Sequence, residues 1–221
     1  MRDLPTIADQ QRNASPAVTP QALAWHHGKL WMGSRDLSRI YVIDPLPWSV
    51  VEEHEPPGGP WAAVSDGETL WFTIGVGAND DRYVCRYEPG RGFAPESEWI
   101  ACPEFAGSYL SYDGANLYLS QWYKHRILQL DRSGTILRTF DVEEEICGHT
   151  FVDGIIYLLR GTEAGDESWR IARLDPRAET PVVEDLARIP FGCRSLAYDG
   201  TRFWSNHRAG DAIVSFTLPS A

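Results

Sequence analysis

"SYDGANLYLSQW", residues 111–122, alternates aromatic and branched apolar residues with small polar ones on either side of an Asp-Gly pair. Asp and Gly tolerate the positive φ that a tight turn requires, so the stretch predicts two short antiparallel strands. Whether it is a lone hairpin or one copy of a repeat decides the fold. The pattern returns in "QALAWHHGKLWMGS" (21–34), "AAVSDGETLWFTIG" (62–75), "HTFVDGIIYLLRG" (149–161) and "SLAYDGTRFWSNH" (195–207). The pairs Leu30-Trp31, Leu70-Trp71, Leu117-Tyr118, Ile156-Tyr157 and Phe203-Trp204 recur about every 43 residues, a spacing typical of four-stranded propeller blades.

A third strand closes most copies: "RIYVIDP" (39–45), "RYVCRYEP" (82–89), "RILQLDR" (126–132) and "RIARLDP" (170–176). "SVVEEHE" (49–55), "SEWIACPE" (97–104), "ILRTFDVE" (136–143) and "PVVEDLARI" (181–189) supply an outer strand. The last copy stops after its third strand, at "AIVSFTLPSA", and the N-terminal "LPTIADQQ" (4–11) is available to complete it. These observations predict an all-β chain, a single five-bladed β-propeller domain over 1–221 of four-stranded antiparallel blades, closed by the N-terminal strand. Seven blades would need about 300 residues at this repeat length. A flat β-sandwich is the alternative, since strand number and turn spacing are shared by both folds. The recurring Trp or Tyr suits the wedge between blades, where a large flat ring buries much area.

A formal charge of −11 across 221 residues has the wrong sign for a nucleic-acid backbone or an anionic membrane surface. The expected partner is a small polar molecule, with no nucleic acid, no membrane and a monomeric chain. No apolar run approaches the roughly 18 residues of a membrane helix, and the N-terminus has no apolar core of a secretory signal. A cytoplasmic chain is expected, or one whose leader was trimmed. The four cysteines contain no C-x-x-C pair, which argues against a zinc ribbon or a thioredoxin-type site.

In a propeller the first strand of each blade lines the axial channel, and the loops at one rim form the usual ligand mouth. Candidates therefore come from strand-one starts and strand-two ends, and the sequence leaves open which of them share a rim. Aligned on the aromatic pairs, Gln21, Trp61, Ser108 and Arg194 form one column at the strand-one starts, joined by either Cys147 or Gly148. Second strands end in Ser34-Arg35-Asp36, Gln121-Trp122-Tyr123, Arg160 and Asn206-His207-Arg208. Gln21, Trp61, Ser108, Gln121, Trp122, Arg194 and Asn206 are therefore candidate substrate-binding residues.

"ICGHTFVDG" (146–154) departs most from the repeat, and period-two alternation would point Cys147 and His149 to one face. Together they would make a nucleophile with its base, or two ligands of a soft metal, with Cys193 close by on the next blade. The competing reading makes both cysteines small buried hydrophobes and His149 a hydrogen-bonded core residue. His207, in "SNHRAGD", suits acid–base work or carboxylate binding, and His125 lies in a comparable loop. His149, His207 and Cys147 are the candidate catalytic residues. No cofactor is required by the sequence; a divalent metal would need ligands brought together from different blades.

The order of these features resembles the plant-type glutaminyl cyclases, or glutamine cyclotransferases, which are five-bladed propellers. "TPQALAW" (19–25) is similar to that family's Phe-Thr-Gln-Gly-Leu opening, with Gln21 on its Gln, and "LYLSQW" (117–122) to its Leu-Tyr-x-Leu-Thr-Trp segment. "DGIIYLL" with "RIARLDP" resembles its fourth blade and "SLAYD" its fifth. The family's Phe-Gly-Glu-Gly glutamate falls on Ser108, and its Asn-Glu-Leu-Glu segment falls near Cys147–Thr150, where no carboxylate stands. Cyclisation needs a group to move the proton as the Gln amine attacks its own amide, so a cyclotransferase here would use a rearranged site. The turn punctuation also resembles streptogramin B lyases and gluconolactonase-like propellers, without residue-level agreement with their His or metal-ligand sets. Three functions follow as expectations: lyase- or hydrolase-type chemistry on a polar substrate at the channel mouth, glutaminyl cyclisation, or a non-catalytic ligand-binding or protein-interaction propeller.

Overall fold

The computed structural model describes residues 4–165 and 167–219. Among the described residues twenty-one strands form five antiparallel sheets, and the helical content is four single turns of 3-10 helix. Blade one is β2 (Pro20–His26), β3 (Lys29–Ser34), β4 (Arg39–Asp44) and β5 (Ser49–His54), in spatial order from axis to rim. Blade two is β6 (Gly59–Ser65), β7 (Leu70–Val76), β8 (Asp81–Glu88) and the short β10 (Ile100–Ala101), with β9 (Gly92–Phe93) as an extra pair on β8. Blade three is β11 (Leu110–Tyr112), β12 (Leu117–Gln121), β13 (Arg126–Leu130) and β14 (Ile136–Asp141). Blade four is β15 (Glu145–Val152), β16 (Ile155–Thr162), β17 (Ser168–Leu174) and β18 (Glu184–Ile189). Blade five takes β19 (Cys193–Tyr198), β20 (Phe203–His207) and β21 (Ala212–Thr217) from the C-terminal end, and its outer strand is β1 (Ala8–Ala14). The five inner strands touch in the cyclic order β2, β6, β11, β15, β19 and back to β2, so the ring is closed.

The outer strand of blade two is where sequence and structure differ. Only Ile100 and Ala101 of "SEWIACPE" pair with β8, because 3-10 turns at Glu96–Glu98 and Pro103–Phe105 cut the strand at both ends. Pro95 and Pro103 account for this: neither can donate to a ladder, and each fixes φ for a turn.

One local device explains why Asp-Gly recurs. In blades two, three and five the Asp carboxylate accepts backbone N–H groups across the turn: Thr69 on Asp66 (2.7 Å), Asn116 on Asp113 (2.7 Å) and Arg202 on Asp199 (2.7 Å). Its second oxygen accepts from the aromatic five residues on: Trp71 Nε1 (2.9 Å), Tyr118 OH (3.0 Å) and Trp204 Nε1 (2.7 Å). Burial opposes ionisation of Asp66 and Asp199, but these hydrogen bonds outweigh it and hold both carboxyls below the usual range. Gly67, Gly114 and Gly200 follow with φ near +100°, a value that favours Gly. In blades one and four a two-residue turn replaces the device, with positive φ at His27-Gly28 and Asp153-Gly154.

The recurring aromatics, with or without this device, fill the wedges between blades. Tyr118 packs on Phe151 (centroids 4.7 Å), Tyr157 on Phe203 (5.2 Å), Trp31 between His54 (5.4 Å) and Tyr87 (5.5 Å), and Trp204 between Trp25 (6.3 Å) and Trp48 (6.2 Å). Each such ring removes enough apolar area to contribute on the order of 4 kcal/mol before its ordering cost.

Near the axis the blades approach so closely that side chains are limited by neighbouring backbone. A Cβ on Gly148 would lie 2.5 Å from the Ser195 carbonyl carbon and 2.7 Å from the Leu196 nitrogen. Main chain cannot swing aside as a flexible side chain would. Gly148→Ala is therefore expected to destabilise the chain by at least about 2 kcal/mol, read from its urea midpoint. An unchanged midpoint would mean that the inner strands of blades four and five are further apart than described.

Candidate functional site

Each inner strand carries a β-bulge at its start, and this sets what faces the axis. The register shifts lie between Pro20 and Ala22, Pro60 and Ala62, Ile146 and Gly148, and Arg194 and Ala197. In blade three the same role falls to Ser108 and Tyr109, which share Ser120 as partner. A bulge adds one residue and re-aims a side chain. The bulged residues are therefore Gln21, Trp61, Ser108 and Cys147, with Cys147 rather than Gly148 in the column. In blade five Arg194 pairs with Asn206, and the extra residue falls just after it, at Ser195–Leu196.

Gln21 spans the axis: its Nε2 donates to the Tyr109 hydroxyl of blade three (3.1 Å) and lies 3.4 Å from the Trp61 carbonyl oxygen of blade two. Ser195 Oγ and Asn206 Nδ2 of blade five donate to the Gln21 carbonyl at 2.8 and 3.0 Å, and Asn206 also reaches the Ala22 carbonyl. Side chains thus bolt the seam between blades five and one and form a floor across the channel.

Above the floor lies a cavity of about 230 Å³. All five blades contribute to its wall: Gln21 and Arg35, Trp61 and Arg82, Ser108, Tyr109, Trp122 and Tyr123, then Glu163, then Arg194 and Arg208. The guanidiniums are organised by aromatic faces. Arg35 and Arg82 lie over the Trp61 ring at 4.6 and 3.5 Å, and Arg194 lies 5.1 Å from Trp122 and 5.5 Å from Trp169. Arg35 pairs with Asp36, Arg82 with Asp80, and the buried Arg194 with Glu163 and Glu167. The Arg208 guanidinium makes no hydrogen bond or ion pair among the described residues, although its charge helps to lower the Asp36 carboxyl after the larger effect of the Thr19 hydrogen bond. The mouth therefore holds four guanidiniums, of which Arg208 alone has no ion-pair partner among the described residues.

The sequence-derived candidates separate into three groups. Gln21, Trp61, Ser108, Trp122 and Arg194 meet at this cavity. Gln121 and Asn206 are buried beside it and engaged by backbone: Gln121 Nε2 donates to the Pro103 and Ala106 carbonyls at 2.9 Å, while its oxygen accepts from Arg126. Cys147, His149 and His207 do not line the mouth. The expected common face for Cys147 and His149 is corrected by the bulge at Cys147: the thiol turns toward blade five, with Sγ 3.3 Å from Cys193 Sγ, and the imidazole toward blade three. There Nδ1 contacts Ser111 Oγ (2.7 Å) and Nε2 the Tyr109 carbonyl (3.1 Å). Both residues are fully buried, and burial raises the Cys147 pKa well above the ordinary thiol value. His207 faces the outer strand of blade five, its Nδ1 accepting from Arg12 at 2.9 Å and its ring 5.3 Å from Phe191. Desolvation and then the Arg12 charge lower its pKa. His125 is the left-handed residue that ends the 3-10 turn Trp122–Lys124.

Arg82, Tyr109 and Glu163 were not anticipated. Tyr109 sits next to the aligned column and enters through the bulge. Arg82 opens the quoted third strand of blade two as an Arg opens those of blades one, three and four, and Glu163 lies in the loop after β16. Among the described residues no group of three or more His, Cys, Asp or Glu is placed to hold a metal ion, and no helix is long and apolar enough to cross a membrane.

No protein-family model matches the chain, and no curated protein matches it. Solved structures do. The glutaminyl cyclase of Myxococcus xanthus superposes with a TM-score of 0.73 at 14% identity, over 97% of this chain and 96% of that one. A streptogramin B lyase gives 0.55 at 15% identity, over 93% and 67% of the two chains. A catalytically inactive virginiamycin B lyase from Staphylococcus aureus, crystallised with quinupristin, gives 0.53 at 15%, over 96% and 99%. The resemblance read from the turn and strand motifs thus holds at the level of architecture.

His149 provides a test of the buried floor. Desolvation lowers its pKa from 6.5 to about 4, partly offset by the Tyr109 carbonyl. The unfolded chain then takes up the proton first, so stability is full above pH 6.5 and falls as pH drops from 6.5 toward 4. The loss across that window is about 3 kcal/mol. His149→Gln should flatten this part of the urea-midpoint profile; an unaltered slope would show that His149 titrates freely.

Proposed function

We propose that the cavity at the channel mouth is the working site of the chain, and that its ligand is a small molecule carrying one negative charge. The observation that supports this most directly is Arg208, a cation without an ion-pair partner among the described residues, at a cavity floored by Gln21 and Tyr109. A volume of about 230 Å³ is below that of drug-sized ligand sites, which favours a small metabolite over a macromolecular segment. Trp61, stacked against two guanidiniums, keeps Arg35 and Arg82 in fixed directions, and such preorganisation reduces the ordering cost of binding.

Glu163 is the carboxylate that borders the cavity, and its contact with Arg194 fixes its position. A carboxylate held there supplies a group that can take up or return a proton, the requirement of lyase or hydrolase chemistry on a polar substrate. Cys147 and His149 are buried and do not line this cavity. Glutaminyl cyclisation is a second reading, supported by the full-length architectural match to the Myxococcus enzyme, with Glu163 in place of the missing family carboxylates. It predicts that a Gln-initiated peptide loses about 17 Da as ammonia is expelled, and that Glu163→Gln does not support the loss.

The anion reading is tested by calorimetric titration with small monocarboxylates. Saturable binding to the wild-type chain is expected, at least about tenfold weaker in Arg208→Ala, the scale of one lost charge-assisted contact. Equal affinities in the two proteins, or no saturable binding of any small anion, would overturn it.

A further inference from the structure

The hydrogen-bonding groups at the floor of the mouth do not balance, and the imbalance describes a ligand. The Trp61 carbonyl oxygen can only accept, so the Gln21 amide must turn its nitrogen toward it and toward Tyr109. That orientation leaves Gln21 Oε1 with no donor, on a residue 1% exposed. The Tyr109 hydroxyl accepts from Gln21, and its own hydrogen reaches no acceptor among the described residues. The Trp122 Nε1–H also lacks an acceptor. Buried polar groups of native chains are nearly always paired, so three unmet groups on residues lining one cavity form a pattern. One acceptor and two donors await partners there.

We propose, resting on the anion reading above, that the ligand is a small 2-hydroxycarboxylate. Its carboxylate answers the two donors and the Arg208 charge. A single negative charge suffices, because Arg35, Arg82 and Arg194 already share carboxylates of the chain. The adjacent hydroxyl donates to Gln21 Oε1 and completes the set. A neutral donor is favoured over an ammonium because the buried Arg194 is close enough to Tyr109 for its charge to act on that hydroxyl. An ammonium at Gln21 would enter the same positive field at a cost that a hydroxyl avoids. The cavity, about 230 Å³, has room for roughly seven waters at about 30 Å³ each, which fits an acid of three or four carbons. Gln21 Oε1 and Trp122 Nε1 are closed to solvent in the unliganded chain, so the ligand must settle between these side chains and move the Trp122 ring.

The experiment compares lactate, propionate and alanine by calorimetry on the full chain, and follows the Trp122 indole N–H by NMR, assigned by its loss in Trp122→Phe. Lactate should bind at least about tenfold more tightly than propionate, the scale of one buried hydrogen bond to a formerly unpaired group. It should also exceed alanine, and shift the Trp122 indole proton downfield. Gln21→Met should bring lactate and propionate to the same affinity while both still bind. Equal binding of lactate and propionate by the wild-type chain, or tighter binding of alanine, would overturn the hydroxyl assignment while leaving the anion reading in place. Absence of binding by all three while another small anion still binds would overturn the hydroxycarboxylate alone, and absence of binding by every small anion would remove both. The wild-type comparison decides the matter even if Gln21→Met does not fold.

Discussion

A carboxylate that ties a turn to an aromatic ring underlies the architecture. In three blades one Asp satisfies the backbone of the first hairpin and fixes the ring that fills the gap to the next blade. Local turn chemistry and long-range packing are therefore set by one side chain. A wedge-shaped blade needs bulk away from the axis and little near it, and the device places bulk at a fixed distance from every such turn. Gly148, pressed against main chain of the next blade, is the corresponding economy near the axis.

Once the wedges close a ring, residues far apart in sequence meet at its centre. Gln21 touches Tyr109 across 88 positions, and Asn206 reaches back 185 positions to the Gln21 carbonyl. The bulges decide what is displayed there, because each turns one side chain out of the alternation toward the axis. Four guanidiniums gather at this point in a chain whose overall charge is −11. Close proximity requires screening, and the aromatic faces of Trp61 and Trp122 with the carboxylates of Asp36, Asp80 and Glu163 provide it.

Blade number, strand order and closure by the N-terminal strand were legible because the hairpin is a local object repeated at a regular interval. The column Gln21, Trp61, Ser108 and Arg194 was legible for the same reason, since aligning hairpins aligns the axis. What alternation could not supply was the bulge at Cys147, which sends the thiol and the His149 ring to opposite neighbours. Glu163 was hidden because it comes from a loop whose length varies between blades, and Arg82 because the Arg that opens each of the quoted third strands recurs without showing which copy reaches the axis. His207 shows a related gap: its partner Arg12 lies on the strand that joins the last blade from the other end of the chain, a contact of 195 positions that no periodicity reveals.

The closure of blade five also determines how the ring responds to force. Ala8 pairs with Thr217 and Ala14 with Ala212, so the two ends of the chain leave the sheet side by side at one edge. Traction on both ends would draw the outer strand away rung by rung rather than load all its hydrogen bonds at once, after first releasing Pro5 and Ile7 from Arg188 on blade four. The mechanically weak point of the wheel is thus its latch, while the four blades built from continuous chain stay shut.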